Sequence, residues 1–231
     1  MRDFSEKDIK VKRIIRVFIN STIDIIQDEG LESVTVRSVA KKSGYNAATI
    51  YNYFDNSRQL ILFASLSFLK DYFKDIQDII KSNDEEPIKQ YIKLWKIFCR
   101  YSYQNPKIYY SIFGENIDED FKSLIDKYFK VFPENFDYSP ADYLPVLTDS
   151  YSVDNITKPL LECIELGCIS KEDAKMIDEA SMLYYHGMLS LMVNKRVKYS
   201  VKEATEKTIN HIKQIIRNVS GLKDDIGKYI K

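Results

Sequence analysis

The residues best suited to chemistry lie close together between Thr35 and Phe54, in the stretch TVRSVAKKSGYNAATIYNYF. Asn46, Ala47, Thr49 and Asn52 fall within one short segment. An asparagine amide carries a donor beside an acceptor, the pattern that pairs bidentately with adenine in the major groove. Alanine and threonine methyls pack on the thymine methyl. No lysine or arginine lies between Asn46 and Phe54. Arginine on guanine is the commonest specific base contact, so this set leans toward A·T-rich DNA. Arg37 is the one nearby cation that could also reach a base.

Two short helices must hold these groups. Thr35 is a good N-cap, and Val36, Val39 and Ala40 follow at one-face helical spacing. Gly44 falls where a helix must stop with positive φ. Asn46 can cap a second helix, with Ile50 and Phe54 four residues apart on its inner face. Ala47, Thr49, Asn52 and Tyr53 then lie on the outer face. Such a pair is a helix-turn-helix, whose second helix presents its first residues to base edges.

Other chemistries find little support. His186 and His211 have no partner at metal-ligand spacing, and Cys99, Cys163 and Cys168 make no paired cysteine motif, so no metal site is expected. No nucleophile–base arrangement is apparent; no catalytic residue and no cofactor are expected, which leaves an all-α enzyme or a helical adaptor as weaker readings. Three cysteines without an apolar N-terminal segment fit a reducing cytoplasm. No apolar run is long enough to span a membrane. Lys+Arg and Asp+Glu both number 34 in 231 residues. Through Arg58, ten basic residues face eight acidic ones. Affinity for DNA should therefore come from a local patch containing Arg37, Lys41 and Lys42.

Capping signals punctuate the whole chain as helices, and the expected fold is all-α. A first helix over about 10–29 ends at Gly30. Asn56 to Gln59 resembles a capping box that opens a helix over about 57–81. Pro87 and Pro106 suit first turns of further helices. Residues 133–151, with three prolines, read as a long irregular segment. Helical pattern over about 108–113 breaks near Gly114 and resumes over about 117–131; a helix starting near Asp154 or after a break at Pro159 ends at Gly167, and helices over about 170–197 and 200–221 complete the chain, the last opened by the capping box Ser200–Glu203.

The N-terminal quarter resembles the DNA-binding domain of TetR-type transcriptional regulators. The residues that carry the likeness are the first helix with Gly30 and Leu31, then Thr35-Val36, Val39-Ala40, Gly44, the run Thr49-Ile50-Tyr51-Asn52-Tyr53-Phe54, and Leu60 opening a long helix. The resemblance implies an N-terminal three-helix helix-turn-helix domain over 1–56. It also implies a C-terminal helical ligand-binding and dimerisation domain over 57–231. It assigns phosphate contacts to Thr35, Tyr51, Tyr53 and the helix start at Ser57. Many family members carry lysine at the position of Ser57 and Lys-Gly at Ala47-Ala48; here Arg58 is the neighbouring cation.

The same resemblance implies a ligand cavity among aromatic helices, and Phe68, Tyr91, Trp95, Phe98, Tyr109, Phe113 and Tyr184 are its candidates. Tyrosine suits such a cavity, with apolar area and one hydroxyl. A dimer interface is expected from two stripes. One runs through Ile177, Ala180, Tyr184, Gly187 and Leu191, the other through Thr208, Ile212 and Ile215. Two such helices per subunit would form a four-helix bundle across a twofold axis. The expected protein is a cytoplasmic homodimer on an inverted-repeat operator in double-stranded DNA. It is expected to be a repressor released by a small-molecule effector.

Overall fold

The computed structural model describes residues 9–81, 86–114, 121–135 and 156–218. Within them the chain forms eleven α-helices and no strand. They are α1 (Ile9–Glu29), α2 (Val36–Ser43), α3 (Ala47–Tyr51), α4 (Ser57–Leu66), α5 (Lys70–Lys81), α6 (Pro87–Gln104), α7 (Pro106–Phe113), α8 (Phe121–Val131), α9 (Lys158–Glu165), α10 (Lys171–Val193) and α11 (Val201–Asn218). By packing, the chain divides into two compact units. One comprises Met1–Lys70 with Lys107–Pro140, the other Asp71–Pro106 with Ala141–Lys231. These units do not follow a cut at 56/57, because α4, α7 and α8 are built into the N-terminal unit.

In that unit α1 is the central support. Ile15, Phe18, Ile19, Thr22, Ile25 and Ile26 form its buried face, and α2 and α4 pack against it. The helix stops at Gly30, whose φ of 91° is open to glycine at little cost. From the far side, Arg16 grips Glu134 with two hydrogen bonds of 2.6 and 2.8 Å and lies over the Phe132 ring at 5.0 Å. Burial pushes the Glu134 carboxyl up, but the Arg16 pair outweighs it and holds the group below the usual carboxylate range. α8 also packs on α1 and α4, and Lys107 at the start of α7 pairs with Glu32.

The helix expected over 57–81 is interrupted. α4 ends at Leu66, Ser67–Leu69 form a 3₁₀ turn, and α5 begins at Lys70. The Ser67 hydroxyl donates to the Ala64 carbonyl at 2.6 Å, the back-bonding by which serine disturbs a helix. A 3₁₀ stretch of this kind within a helical run often marks a hinge.

In the second unit α11 packs on α6 and α10, and α9 packs on α6. The Thr157 amide donates to the Asp178 carboxylate at 2.7 Å, so α10 helps to anchor the start of α9. α10 stops at Val193, short of 197, where Lys195 turns to φ 54°. The expected stretches 117–120, 136–151 and 219–221, and the alternative start of α9 at 154, lie outside the described residues.

Candidate nucleic-acid interface

Both short helices are held by their caps. Thr35 Oγ1 accepts from the Ser38 amide at 3.0 Å, and Ser38 Oγ accepts from the Thr35 amide at 2.9 Å. This is a capping box with serine in the place usually taken by Glu or Gln. Gly44 closes α2 in the left-handed region at φ 75°, and its amide returns to the Ala40 carbonyl. Asn46 then caps α3, its Oδ1 accepting from the Thr49 amide at 2.8 Å and from the Thr49 hydroxyl at 2.9 Å. A cap of this type contributes about 1 kcal/mol. Ile50 and Phe54 are fully buried, as their spacing requires. Burying such side chains contributes about 1.5–3 kcal/mol each and fixes α3 on the unit's core.

With Ile50 and Phe54 pointing in, the rest of the segment points out. Ala48, Tyr51 and Asn52 are exposed, while Ala47, Thr49 and Tyr53 are half-buried. Tyr51 is 57% exposed, which leaves its ring and hydroxyl open to solvent. Tyr53 rests on Phe18, ring centroids 6.0 Å apart. α3 is only one turn and a half long and ends at Tyr51, so Asn52 is its C-cap rather than an interior residue. Thr35 and Arg37 are exposed at the start of α2. Ser57 is the first residue of α4 behind the Asn56 cap, and Arg58 is exposed beside it.

Three details were not evident from residue types. Lys42 is tied to Asp28 at 2.9 Å, and that hydrogen bond raises its pKa; its charge is already matched within the unit. Gln59 reaches past the Asn56 cap and accepts from the Asp55 amide at 2.9 Å, which fixes the turn between α3 and α4. Tyr45, in the turn itself, packs edge-on against Phe18 at 5.1 Å and stays 39% exposed. Its place directly after the turn glycine was the available signal for a further exposed aromatic.

The aromatic candidates divide between the two units. Phe68, Tyr109 and Phe113 belong to the N-terminal one. In the other, Trp95 and Phe98 surround Tyr185, with centroids 5.7 and 4.9 Å from its ring. Tyr72 meets Phe98 at 5.5 Å, and Tyr91 meets Trp95 at 6.4 Å. The tyrosine of α10 in this cluster is therefore Tyr185, not Tyr184. Tyr185 is fully buried and shares a 2.6 Å hydrogen bond with Ser102. Tyr184 points elsewhere and stacks on His211 at 4.0 Å. Within this apolar setting the hydroxyls of Tyr91 and Ser181 are buried near one another and near Asp178, without a well-formed hydrogen bond to either. Burial first, then the nearby Asp178 charge, pushes the Tyr91 pKa well up, so the phenol is a neutral donor.

The dimer stripes also need correction. Ile177, Thr208 and Ile212 are fully buried inside the subunit, and Ile215 is half-buried. Thr208 bonds to Tyr103 at 2.8 Å and to the Ala204 carbonyl at 2.9 Å. These residues face the core because α11 lies directly on α6. What α10 leaves outside is Met176, Leu183 and Leu191, at 46%, 67% and 43% exposure, with Gly187 open beside them and Ala180 half-buried.

A capped short helix behind a left-handed glycine, carried on a three-helix core, is the geometry of a helix-turn-helix, and the described residues around it are all helical. Residues 18–63 match the family model described as bacterial regulatory proteins, tetR family. Over that segment the chain is similar to the DNA-binding domain of that family.

Solved structures share its fold. A TetR-family regulator from Syntrophomonas wolfei aligns with TM-score 0.54 at 16% identity, covering 88% of this chain and 95% of its own. RolR, solved with resorcinol, aligns with TM-score 0.55 at 12% identity over 96% and 95%. The TetR-family repressor FadR of Thermus thermophilus, solved with lauroyl-CoA, aligns with TM-score 0.50 at 13% identity over 86% and 92%. No curated protein matches the sequence. Among the described residues no group of three His, Cys, Asp or Glu could hold a metal. No described helix is long and apolar enough to cross a membrane.

Proposed function

We propose that this chain is a cytoplasmic, non-enzymatic, homodimeric regulator that represses genes from an inverted-repeat operator and releases it on binding a small molecule. The observation that carries the reading is the outward set on α2 and α3, built on the caps of Thr35 and Asn46. Thr35, Tyr51, Tyr53, Ser57 and Arg58 would meet phosphates. Arg37, Asn46, Ala47, Thr49 and Asn52 would meet base edges. Reading is thus assigned to residues 1–56, and sensing and pairing to 57–231.

Dimerisation would use the exposed face of α10, through Met176, Ala180, Leu183, Gly187 and Leu191. An apolar stripe of this length on a helix surface marks an interaction surface. Gly187 offers room for close approach, with nothing within 4 Å of a Cβ placed there. A twofold pair sets two reading helices about 34 Å apart, or a multiple of it, and so requires a palindromic site.

The effector would be a largely apolar molecule with a polar group. The aromatic cluster around Tyr185 offers the apolar walls, and the buried hydroxyls of Tyr91 and Ser181 offer polar groups beside it. Lauroyl-CoA and resorcinol, held by two relatives, are both molecules of that mixed kind. Release requires only that the effector prefer the non-binding state by about 1–3 kcal/mol, a change of about 5–150-fold in operator affinity. The test is selection of bound fragments from the source genome, followed by gel shift with and without candidate effectors. Recovery of a palindrome whose complex dissociates with one effector supports the reading; absence of any preferred fragment overturns it.

A further inference from the structure

Cys163 and Cys168 flank the turn that ends α9. The helix stops at Glu165, Leu166 is its C-cap, and Gly167 enters the left-handed region at φ 71°. The Gly167 amide returns to the Ile164 carbonyl at 2.9 Å, and the Cys168 amide returns to the Cys163 carbonyl at 2.9 Å. These two nested bonds, the inner 5→2 and the outer 6→1, are a Schellman motif. Side chains at the ends of the outer bond commonly touch across such a turn. Cysteine occupies both ends. The 2.9 Å bond also holds the two backbones within reach of a disulfide, whose Cα atoms lie about 4.4–6.8 Å apart.

Two further observations fit a working pair. Burial first, and then the Cys168 thiol, push the Cys163 thiol up to about 12. A neighbouring group acts in this way from within about 4–6 Å. The two thiols also differ in access. Cys163 is 3% exposed, while Cys168 is open to solvent and approaches the Leu166 carbonyl only at 4.0 Å. An accessible thiol beside a sheltered second one is the arrangement of a cysteine that meets an oxidant and a cysteine that resolves the product. In reducing compartments, disulfides of this kind are transient and report on redox conditions.

We infer that Cys163 and Cys168 form an oxidative modification site, which a hydroperoxide converts to an intrachain disulfide. The Cys168 thiolate attacks a peroxide oxygen, the O–O bond breaks, and Cys168 becomes a sulfenic acid as hydroxide leaves. The Cys163 sulfur then attacks the Cys168 sulfur. The S–S bond forms, and the sulfenic oxygen leaves as water with the Cys163 proton. With hydrogen peroxide, two thiols are oxidised to one disulfide and the peroxide is reduced to two waters. Burial closes Cys163 to reagents from solution, so its route to reaction runs through the sulfur held beside it. The bond ties the last turn of α9 to the segment that leads into α10. The site does not rest on the DNA or effector readings above.

The test treats the reduced full chain with hydrogen peroxide and weighs the tryptic peptide that holds both cysteines, since no lysine or arginine separates them. Loss of two hydrogens from that peptide, reversed by dithiothreitol, is expected in the wild type and in Cys99→Ser. Cys168→Ser should lose the response, and Cys163→Ser should instead gain oxygen at Cys168. Unchanged melting midpoints show that the variants fold; should Cys163→Ser unfold, Cys163→Ala takes its place and the wild-type peptide still decides. A wild-type peptide that gains oxygen without losing hydrogens overturns the proposal. So does a disulfide that joins two chains or recruits Cys99, and so does a peptide left unchanged at a peroxide dose that oxidises free cysteine.

Discussion

Asn46 Oδ1 accepts from both the amide and the hydroxyl of Thr49, at 2.8 and 2.9 Å. One side chain is thus both the cap of α3 and a candidate base reader, and the first task consumes its acceptor. Only the Nδ2 donors remain for DNA, and they can meet the N7 of either purine. The Thr49 hydroxyl proton is likewise committed, leaving its lone pairs and its methyl. The expectation of bidentate adenine pairing passes from Asn46 to Asn52, whose amide is not needed for the cap.

Substitution separates the two tasks of Asn46. Asn46→Ser keeps a capping oxygen and should melt like the wild type, while losing about three- to tenfold in operator affinity, less than a full bidentate pair. Asn46→Ala should also lose about 1 kcal/mol of stability. Denaturant melts beside gel shifts decide; equal affinity in both variants would remove Asn46 from the base-reading set.

Asn52→Ala should cost about 1–3 kcal/mol of operator binding and relax the preference at one base pair in each half-site. Selection from a randomised operator, read by sequencing, checks this. An unchanged preference at every position would exclude Asn52 as a direct reader.

Leu183 is the most exposed apolar residue of the α10 stripe, so Leu183→Glu should leave the subunit folded and abolish pairing. Light scattering on a sizing column should report about twice the chain mass for the wild type and the single-chain mass for the variant. A variant that still elutes as a dimer would move the interface off α10.

The cysteines should differ in reactivity. Burial pushes the pKa of Cys99 and of Cys163 up to about 12, and Cys168 is exposed. The thiolate is the reactive form, so buried raised thiols are inert. Native protein should react with Ellman's reagent at one thiol per chain, and denatured protein at all three. Cys168→Ser should remove the native signal.

The α11 cap gives a pH signature. The Ser200 amide and hydroxyl donate to Glu203 and hold its carboxyl below the usual carboxylate range. A folded pKa below the unfolded one means the contribution is present above the unfolded value, near 4.5, and is lost as pH falls through the folded value. Glu203→Gln should melt earlier than the wild type at pH 7, and the gap should close below about pH 4. A gap that persists at pH 3 would show that the carboxylate is not its source.

The sequence made the reading head legible because its signals are local. A cap, a turn glycine and two buried positions four apart leave one arrangement open at Thr35–Phe54. The helix expected to run on from Ser57 shows the limit, since nothing in the composition of Ser67–Leu69 separates a tightened turn from a regular one. On α10 two three-and-four stripes coexist, one through Ala174, Ile177, Ser181, Tyr185 and Met188, the other through Met176, Ala180, Leu183, Gly187 and Leu191. Periodicity finds both, but only packing against α6 and α11 decides which faces inward. A slip of one residue rotates a side chain by about 100°, which is why Tyr185 took the place expected for Tyr184.

The pairing of Lys42 with Asp28 has a consequence for how the operator responds to its surroundings. Each phosphate neutralised by a lysine or arginine releases counterions and steepens the salt dependence of binding. Here one of the few cations near α3 is already matched, and the phosphate set proposed above would rely on hydroxyls of Thr35, Tyr51, Tyr53 and Ser57 beside the single cation Arg58. Occupancy of the operator should therefore fall less steeply with rising ionic strength than it would for a regulator with a more basic reading head.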